Sequence, residues 1–284
     1  TQSTYYTSDY NYYYSTENPD KILAGFSNYS ENIYVGYRWY ETADAEGYWN
    51  DVSNEYGQGY EGVVQYPFGY GLSYTSFTQE IESVDVKNEI VNFTVKVTNN
   101  GDKYSGKDVI QIYTEAPYTD GGIEKSKVVL SAFEKTKELA PKESDTYTLT
   151  VDLEDIASYD KNAANGSGAY ILEQGDYNFY LSNNAHSWAE TDLTDMKKTY
   201  VYHQEEDIVY VGDAKRTSDQ TVAENQFKNS ENDIIELSRA DSFANAGEAV
   251  FSEIPDIGIS KEDEIYNLVV TQASAAGEFQ DEIG

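Results

Sequence analysis

Cysteine is absent from all 284 residues of this chain. Its absence excludes disulfide bonds, thiolate metal sites and cysteine nucleophiles together. Basic residues are scarce, with 19 Lys and Arg against 51 Asp and Glu, and the formal net charge is −32. Nucleic acids and anionic membranes bind proteins whose lysine and arginine replace their counterions, so neither is expected as a partner.

Long apolar runs are also lacking. No run approaches the roughly 20 residues that span a bilayer, so membrane insertion by this segment is not expected. The chain starts with Thr1 and shows no leader pattern, which favours a fragment or a processed product. An extracellular or cell-surface location in a bacterium is favoured over the cytoplasm. The only histidines, His186 and His203, lack metal-like spacing, so no metal and no cofactor are expected.

Aromatic residues dominate the amino-terminal quarter of the chain. The first fourteen residues hold six tyrosines without helical or strand periodicity, which predicts an irregular segment. Residues 32–40 are β-branched and aromatic and predict a buried strand, whereas 41–62 are typical of a loop. Aromatic rings stack on sugar faces, so Tyr48 and Trp49 in this loop are candidate substrate-binding residues. Core packing is the competing interpretation for them and the favoured one for Tyr34, Tyr37 and Trp39.

Alternating strands follow from Thr78 to about Tyr202. Residues 91–98 place an apolar side chain at every odd position, the pattern of a strand with one face on a core. Similar patterns recur near 108–115, 128–133 and 147–151. We also expect a closing hairpin of residues 170–172 and 177–181 around Gly175-Asp176. About seven short strands in roughly 110 residues predict an immunoglobulin-like β-sandwich, and the lack of a cysteine pair favours a fibronectin type III-like variant.

One motif precedes these strands: Tyr66-Pro67-Phe68-Gly69-Tyr70-Gly71-Leu72-Ser73-Tyr74-Thr75. Its glycines and proline predict tight bends with the large rings buried. The motif resembles a signature of the glycoside hydrolase family 3 enzymes, which include many β-glucosidases. Residues 106–136, 153–160 and 173–177 resemble successive pieces of that family's fibronectin type III-like domain. Lys142 stands where the family usually has glycine after the proline, so we expect a turn of a different type.

The resemblance implies a mainly β chain in three parts. Residues 1–77 would be the tail of an α/β sandwich domain, and residues 78–200 a fibronectin type III-like β-sandwich. Residues 201–284, with 19 acidic and five basic residues, would be an acidic connector toward a missing catalytic barrel. Residues 225–227 and 234–243 resemble a connector from family members with permuted domain order.

The catalytic pair of the family cannot be placed on this chain. Retaining glycoside hydrolysis needs two carboxyl groups about 5 Å apart. In the family the nucleophile is a barrel aspartate in a Ser-Asp-Trp type context, and Ser8-Asp9-Tyr10 matches it only superficially because no apolar strand precedes it. The family acid/base is commonly a glutamate of the sandwich domain ahead of the signature motif, and its position in this chain is not assigned. No catalytic residue is therefore assigned, and the chain alone is expected to be inactive.

Two functions remain open from the sequence. In the first, the chain is the non-catalytic structural portion of a family 3 glycoside hydrolase of β-glucosidase type, and its partners are the remaining domains of that enzyme. In the second, it is a stand-alone extracellular module that binds carbohydrate or assembles with copies of itself through edge strands and the tyrosine-rich tract.

Overall fold

The structure is a computed structural model that describes residues 11–14, 22–26, 31–212, 216–217, 236–244 and 246. The chain forms two compact units. The first comprises Thr1–Asn32, Ser230–Leu237 and Ala244–Gly284. Its described part contains strands β1 (Asn11–Tyr14) and β2 (Ile22–Phe26), which pair antiparallel. The irregular segment expected for the first fourteen residues is therefore wrong for β1, and Tyr5, Tyr6 and Tyr10 lie outside the described residues.

The second unit comprises Ile33–Asn229 and Ser238–Phe243, and it begins with helix α1 (Tyr37–Ala45). The strand expected over residues 32–40 is wrong. Gly47 ends the helix with φ 74°, while the amide of Tyr48 donates to Ala43 O (2.8 Å) and that of Gly47 to Asp44 O (2.9 Å). These are the two hydrogen bonds of a Schellman cap, which requires a left-handed residue such as glycine. Trp39 and Ala43, one turn apart, are both buried.

The stretch between the helix and the signature motif is ordered as well. Two short strands, β3 (Ser53–Asn54) and β4 (Gly57–Gln58), form a hairpin, and a 3₁₀ helix follows over Gly59–Gly62. The loop prediction for residues 41–62 is thus wrong for residues 41–45, which belong to α1, and for the two short strands and the 3₁₀ helix. It is correct only for the residues between these elements. No helix in the described ranges is long and apolar enough to cross a membrane.

Ten further strands lie in the described part of this unit. They are β5 (Phe77–Lys87), β6 (Ile90–Asn99), β7 (Val109–Glu115), β8 (Val129–Lys135), β9 (Ser144–Asp152), β10 (Ser158–Asp160), β11 (Ala169–Leu172), β12 (Gly175–Ser182), β13 (Thr199–Gln204) and β14 (Ile208–Tyr210). Helical turns connect some of them: 3₁₀ helices over Leu153–Ile156 and Ser187–Glu190, and a single turn α2 (Ala163–Gly166). The strands form antiparallel sheets in the orders β5-β6-β9, β13-β12-β7-β8 and β10-β11-β14.

The first two of these sheets form the sandwich, and the expected mainly β fold is confirmed. The alternation read from residues 91–98 is confirmed as well, since Val91, Phe93, Val95 and Val97 of β6 are all fully buried. Phe93 faces Phe179 of β12, with 5.3 Å between the ring centroids. The core therefore lies between the two sheets, where the pleat directs alternate side chains of each strand.

The hairpin expected around Gly175-Asp176 is wrong. Strand β11 pairs with β10 and β14, whereas β12 pairs with β7 and β13. The chain crosses from one sheet to the other at residues 173–174. Gly175 allows this crossing because it has φ 136° and because a Cβ there would lie 2.8 Å from Pro117 Cβ. Two alternating runs separated by a turn signal predict a hairpin, but they cannot show which partner each strand selects.

The turn before β9 keeps the geometry that favours glycine. The amide of Glu143 donates to Ala140 O at 2.9 Å, and Lys142 has φ 66°. Proline at the second position and positive φ at the third are the features of a type II turn. The different turn type expected for Lys142 is therefore wrong. Its Nζ donates to Asn100 O at 2.6 Å and lies 2.8 Å from Asp102.

Candidate functional site

The signature motif is attached to the sandwich through a turn at residues 67–70. The Tyr70 amide donates to Pro67 O at 3.1 Å, and Gly69 between them has φ 83°. The Gln111 side chain of β7 donates from Nε2 to Gly69 O at 3.1 Å. The amide of Ala185 donates to Phe68 O at 2.8 Å. The motif is thus bound to the sandwich by its backbone, at one end of β7 and at the loop after β12.

Gly69 is required at this turn for two reasons. Its φ lies in the left-handed region, and a Cβ on it would overlap Gln111 Oε1 and lie 2.8 Å from the Tyr113 hydroxyl. Gly71 is different, because a Cβ there would have no atom within 4 Å and its φ is not positive. Only one of the two glycines therefore makes the tight bend that the motif predicts.

The large side chains of the motif are exposed, and the expectation that they are buried is wrong. Leu72 and Tyr74 are 87% and 94% exposed. Phe68 is half-exposed and stacks on Tyr37 with 4.4 Å between centroids, while Tyr66 stacks on Tyr70 at 5.3 Å. The motif therefore presents a row of exposed apolar side chains on a strongly charged protein.

The two candidate substrate-binding residues, Tyr48 and Trp49, lie together in an aromatic cluster after α1. Their rings meet edge to face at 4.7 Å, and both also contact Trp39. The Trp49 indole donates to Tyr40 O at 3.2 Å, and the planes of the Trp49 and Tyr40 rings are inclined by 28°. Trp49 is half-buried, and Tyr48 presents part of its ring to solvent. Tyr48 is therefore the more exposed of the two candidate rings.

Glu41 is the most enclosed carboxylate near the motif. It lies on α1, is fully buried, and accepts three hydrogen bonds. Tyr60 OH donates to Oε1 at 2.5 Å, while His186 Nδ1 and the Trp188 indole lie 2.8 and 2.9 Å from Oε2. Tyr60 also stacks on His186, with 3.6 Å between ring centroids. The helix is thereby joined to the 3₁₀ helix over 59–62 and to the loop after β12.

The charge state of His186 is set by this network. Burial lowers its pKa, but the hydrogen bond and charge of Glu41, together with Asp44 and Glu190, raise the pKa above 6.5. His203 is exposed and lies 2.6 Å from Asp176, whose hydrogen bond raises its pKa too. Both histidines therefore pair with carboxylates. Within the described ranges, no group of three or more His, Asp or Glu side chains could hold a metal ion.

Sequence reasoning overlooked Glu41 because it lies in a stretch predicted to be a loop. One signal was available: Trp39, Ala43 and the following Gly47 have the spacing of an amphipathic helix and its glycine cap. Ser8-Asp9-Tyr10 and residues 225–227, also considered above, lie outside the described residues. Residues 236–243 of the resembled connector lie within them.

Part of the sequence matches the model of a known protein family. A model described as "Fibronectin type III-like domain" matches residues 108–185. This chain contains a fibronectin type III-like domain. The matched region includes β7, β8 and β12 of one sheet of the sandwich and β9 of the other.

Curated relatives of this chain include β-glucosidases. It is 38% identical to a β-glucosidase of Ruminococcus albus over 62% of this chain and 17% of the relative. It is 36% identical to β-glucosidase A of Butyrivibrio fibrisolvens over 63% of this chain and 21% of the relative. A solved β-glucosidase of Paenibacillus barengoltzii is 35% identical over 64% of this chain and 18% of that one, with a TM-score of 0.48.

The chain therefore spans about a fifth of the length of the curated relatives it matches. The resemblance to the family 3 β-glucosidases is confirmed.

Proposed function

We propose that this chain is the non-catalytic structural portion of a family 3 glycoside hydrolase of β-glucosidase type. The enzyme as a whole would hydrolyse terminal β-linked sugars with retention of configuration. Residues 1–77 would be the tail of its α/β sandwich domain, 78–200 the fibronectin-like sandwich and 201–284 an acidic connector. The β-glucosidase relatives support the enzyme class.

The single observation that carries the structural role is the buried Glu41 network. Its carboxylate, on a helix that precedes the sandwich, binds His186 and Trp188 in the loop that follows β12. A buried carboxylate is costly unless its hydrogen bonds are complete, so this contact holds only while both segments keep their positions. The sandwich would therefore fix the preceding segment as one body and position it for the rest of the enzyme.

The same network argues against catalysis by Glu41, the buried carboxylate of α1. Glu41 has no exposed surface and accepts three hydrogen bonds, so it cannot reach a glycosidic oxygen or a sugar carbon. Retaining hydrolysis needs two carboxyl groups facing one substrate about 5 Å apart. We propose that both catalytic groups belong to other parts of the enzyme.

A nitrophenyl β-glucoside assay on this chain alone tests the proposal. We expect no release of nitrophenol above the enzyme-free blank, with an active β-glucosidase run beside it to validate the substrate. Turnover that rises in proportion to the chain concentration and follows the chain through gel filtration would contradict the non-catalytic role.

A second candidate function is carbohydrate contact by the aromatic cluster, which the partly exposed ring of Tyr48 beside Trp49 favours. Titration with cellobiose or xylan, followed by tryptophan fluorescence, should then give a saturable change that Tyr48→Ala abolishes. Tyr56→Ala is the matched control, since Tyr56 is an exposed tyrosine in the same region without a ring partner among the described contacts. An unchanged spectrum at saturating sugar would count against this function.

Assembly with copies of itself belongs to the same alternative. Light scattering across a range of chain concentrations tests it, because a self-assembling module gains mass as concentration rises. A constant monomer mass would contradict it.

A further inference from the structure

Residues Ser238–Phe243 form a small closed loop within the unit that contains the sandwich. The Phe243 amide donates to Ser238 O at 3.1 Å, and the Ser242 amide donates to Arg239 O at 3.0 Å. Ser242 and Phe243 both have positive φ, at 53° and 60°. Two consecutive non-glycine residues in the left-handed region are unfavourable in an isolated peptide. The contacts that this loop makes with its surroundings must therefore stabilise its conformation.

The Arg239 side chain provides the first of these contacts. Its Nε donates to Glu46 Oε1 at 2.5 Å and its NH1 donates to Lys125 O at 3.3 Å. The guanidinium also lies 4.2 Å from the centroid of the Tyr118 ring. Burial, with the charge of Glu124, raises the pKa of Tyr118 to about 12, so this ring stays a neutral phenol. A carboxylate at one end and an aromatic face at the side are the partners that arginine accepts better than lysine does.

The Phe243 side chain provides the second contact, and it is fully buried. Its ring meets Tyr34 and Trp39 edge to face, with 4.8 Å between centroids in each case. Burial of a phenylalanine between two aromatic rings contributes through both apolar area and ring geometry.

Glu124 binds the backbone at the start of the loop. Ser238 Oγ donates to its Oε1 at 2.6 Å, and the Arg239 amide donates to its Oε2 at 3.1 Å. Tyr34 OH donates to the same carboxylate. The three residues between the two anchors, at 240–242, are exposed. The surrounding residues thus contact three features of the loop: an arginine side chain, the backbone amide of that arginine, and a phenylalanine side chain four residues later.

We propose that Tyr34, Trp39, Glu46, Tyr118 and Glu124 form a peptide-binding site for the sequence Arg-x-x-x-Phe, here called the Arg–Phe site, and that Ser238–Phe243 of this chain is its occupant. The site is separable from its occupant: its five residues come from α1, its flanks and residues 118–124, far from 238–243 in sequence. Binding at the Arg–Phe site holds residues 238–243 against the start of the unit, although these residues lie more than 100 positions after residue 124. This role goes beyond the structural function proposed above.

The test uses the whole 284-residue chain with Arg239→Ala and Phe243→Ala combined, which removes both anchoring side chains from the site. The probe is a synthetic peptide of residues 236–246, and binding is followed by calorimetry and by tryptophan fluorescence, to which Trp39 contributes. We expect saturable one-to-one binding to the double variant. A peptide carrying Phe243→Ala should bind at least about tenfold more weakly, since it loses a fully buried aromatic side chain. A peptide carrying Asp241→Ala, whose side chain is exposed, is the matched control and should bind unchanged.

A folded double variant that binds none of these peptides at millimolar concentration would overturn the proposal, as would equal affinity for all of them. Circular dichroism reports whether the double variant folds. If it does not, deuterium exchange of the wild-type chain decides, because residues 238–243 must exchange faster in excess wild-type peptide than in excess Phe243→Ala peptide. Equal exchange in both would overturn the proposal in that case.

Discussion

Replacement of Gly69 by alanine tests how the signature motif is attached to the sandwich. The added Cβ overlaps Gln111 Oε1 and lies 2.8 Å from the Tyr113 hydroxyl. Gln111 cannot simply move aside, because its Nε2 donates to Gly69 O and Asn183 O and its Oε1 accepts from Tyr113. The substitution therefore strains the backbone and disturbs a buried set of hydrogen bonds at the same time.

Two contributions set the size of the effect. A non-glycine residue in the left-handed region costs about 1–2 kcal/mol. Loss or distortion of the Gln111 hydrogen bonds costs about 1 kcal/mol for each bond affected. With one or two bonds affected, the free energy of unfolding should fall by about 2–4 kcal/mol. For a unit of this size that is a fall in Tm of roughly 5–15 °C.

Urea unfolding followed by tryptophan fluorescence measures the change, and Gly71→Ala is the matched control. Gly71 belongs to the same motif, but a Cβ there meets nothing within 4 Å. Its alanine variant should stay within about 0.5 kcal/mol of the wild type. A Gly69→Ala variant as stable as the wild type, or equal losses in both variants, would refute the argument from backbone geometry and close contact.

Three further outcomes follow from the described contacts. Glu41→Ala should lower the free energy of unfolding by about 3–5 kcal/mol, because it leaves buried donors unpaired. Glu55 is exposed, and Glu55→Ala should change the free energy of unfolding by less than about 0.5 kcal/mol. Equal effects of the two substitutions would contradict the role of the Glu41 network. Because the pKa of His186 is raised in the fold, its contribution to stability is complete below pH 6.5 and lost as the pH rises through the raised value. Urea unfolding at pH 6 to about 9 should show this loss in the wild type and not in His186→Gln, and parallel profiles would be inconsistent with it. Lys142→Gly should raise the free energy of unfolding by about 0.5–1 kcal/mol in thermal melts, since glycine adopts φ 66° without strain, whereas Lys142→Ala should bring no gain.

The sandwich could be predicted from the sequence because each of its strands alternates on its own. Residues 91–98 alternate without a break, and the pleat converts that period directly into one buried face. Pairing between strands was harder to predict. Tyr170 and Tyr177 belong to different sheets although their strands are separated by only two residues. Which neighbouring strand a strand pairs with depends on the packing of the whole unit, and a local sequence pattern contains little information about that packing.

The helix α1 and the Arg–Phe site could not be predicted in the same way. Aromatic and β-branched residues around Trp39 favour a strand by propensity, and burial against Phe243 outweighed that preference. Glu41, Glu124 and Arg239 are three charged residues among 70 in the chain, and the sequence does not show which of the 70 are buried. Most of their partners are 90 to 193 residues away in sequence, and only the fold brings them into contact.

The exposed row of the signature motif also has a consequence for handling the protein in solution. Leu72 and Tyr74 present apolar surface on a molecule with a net charge of −32. At low ionic strength, repulsion between copies keeps such surfaces apart. Salt shortens the range of that repulsion from about 10 Å at 0.1 M to about 3 Å at 1 M and leaves the apolar attraction intact. The colloidal stability of this chain should therefore decline with added salt, opposite to the behaviour of proteins that associate through opposite charges.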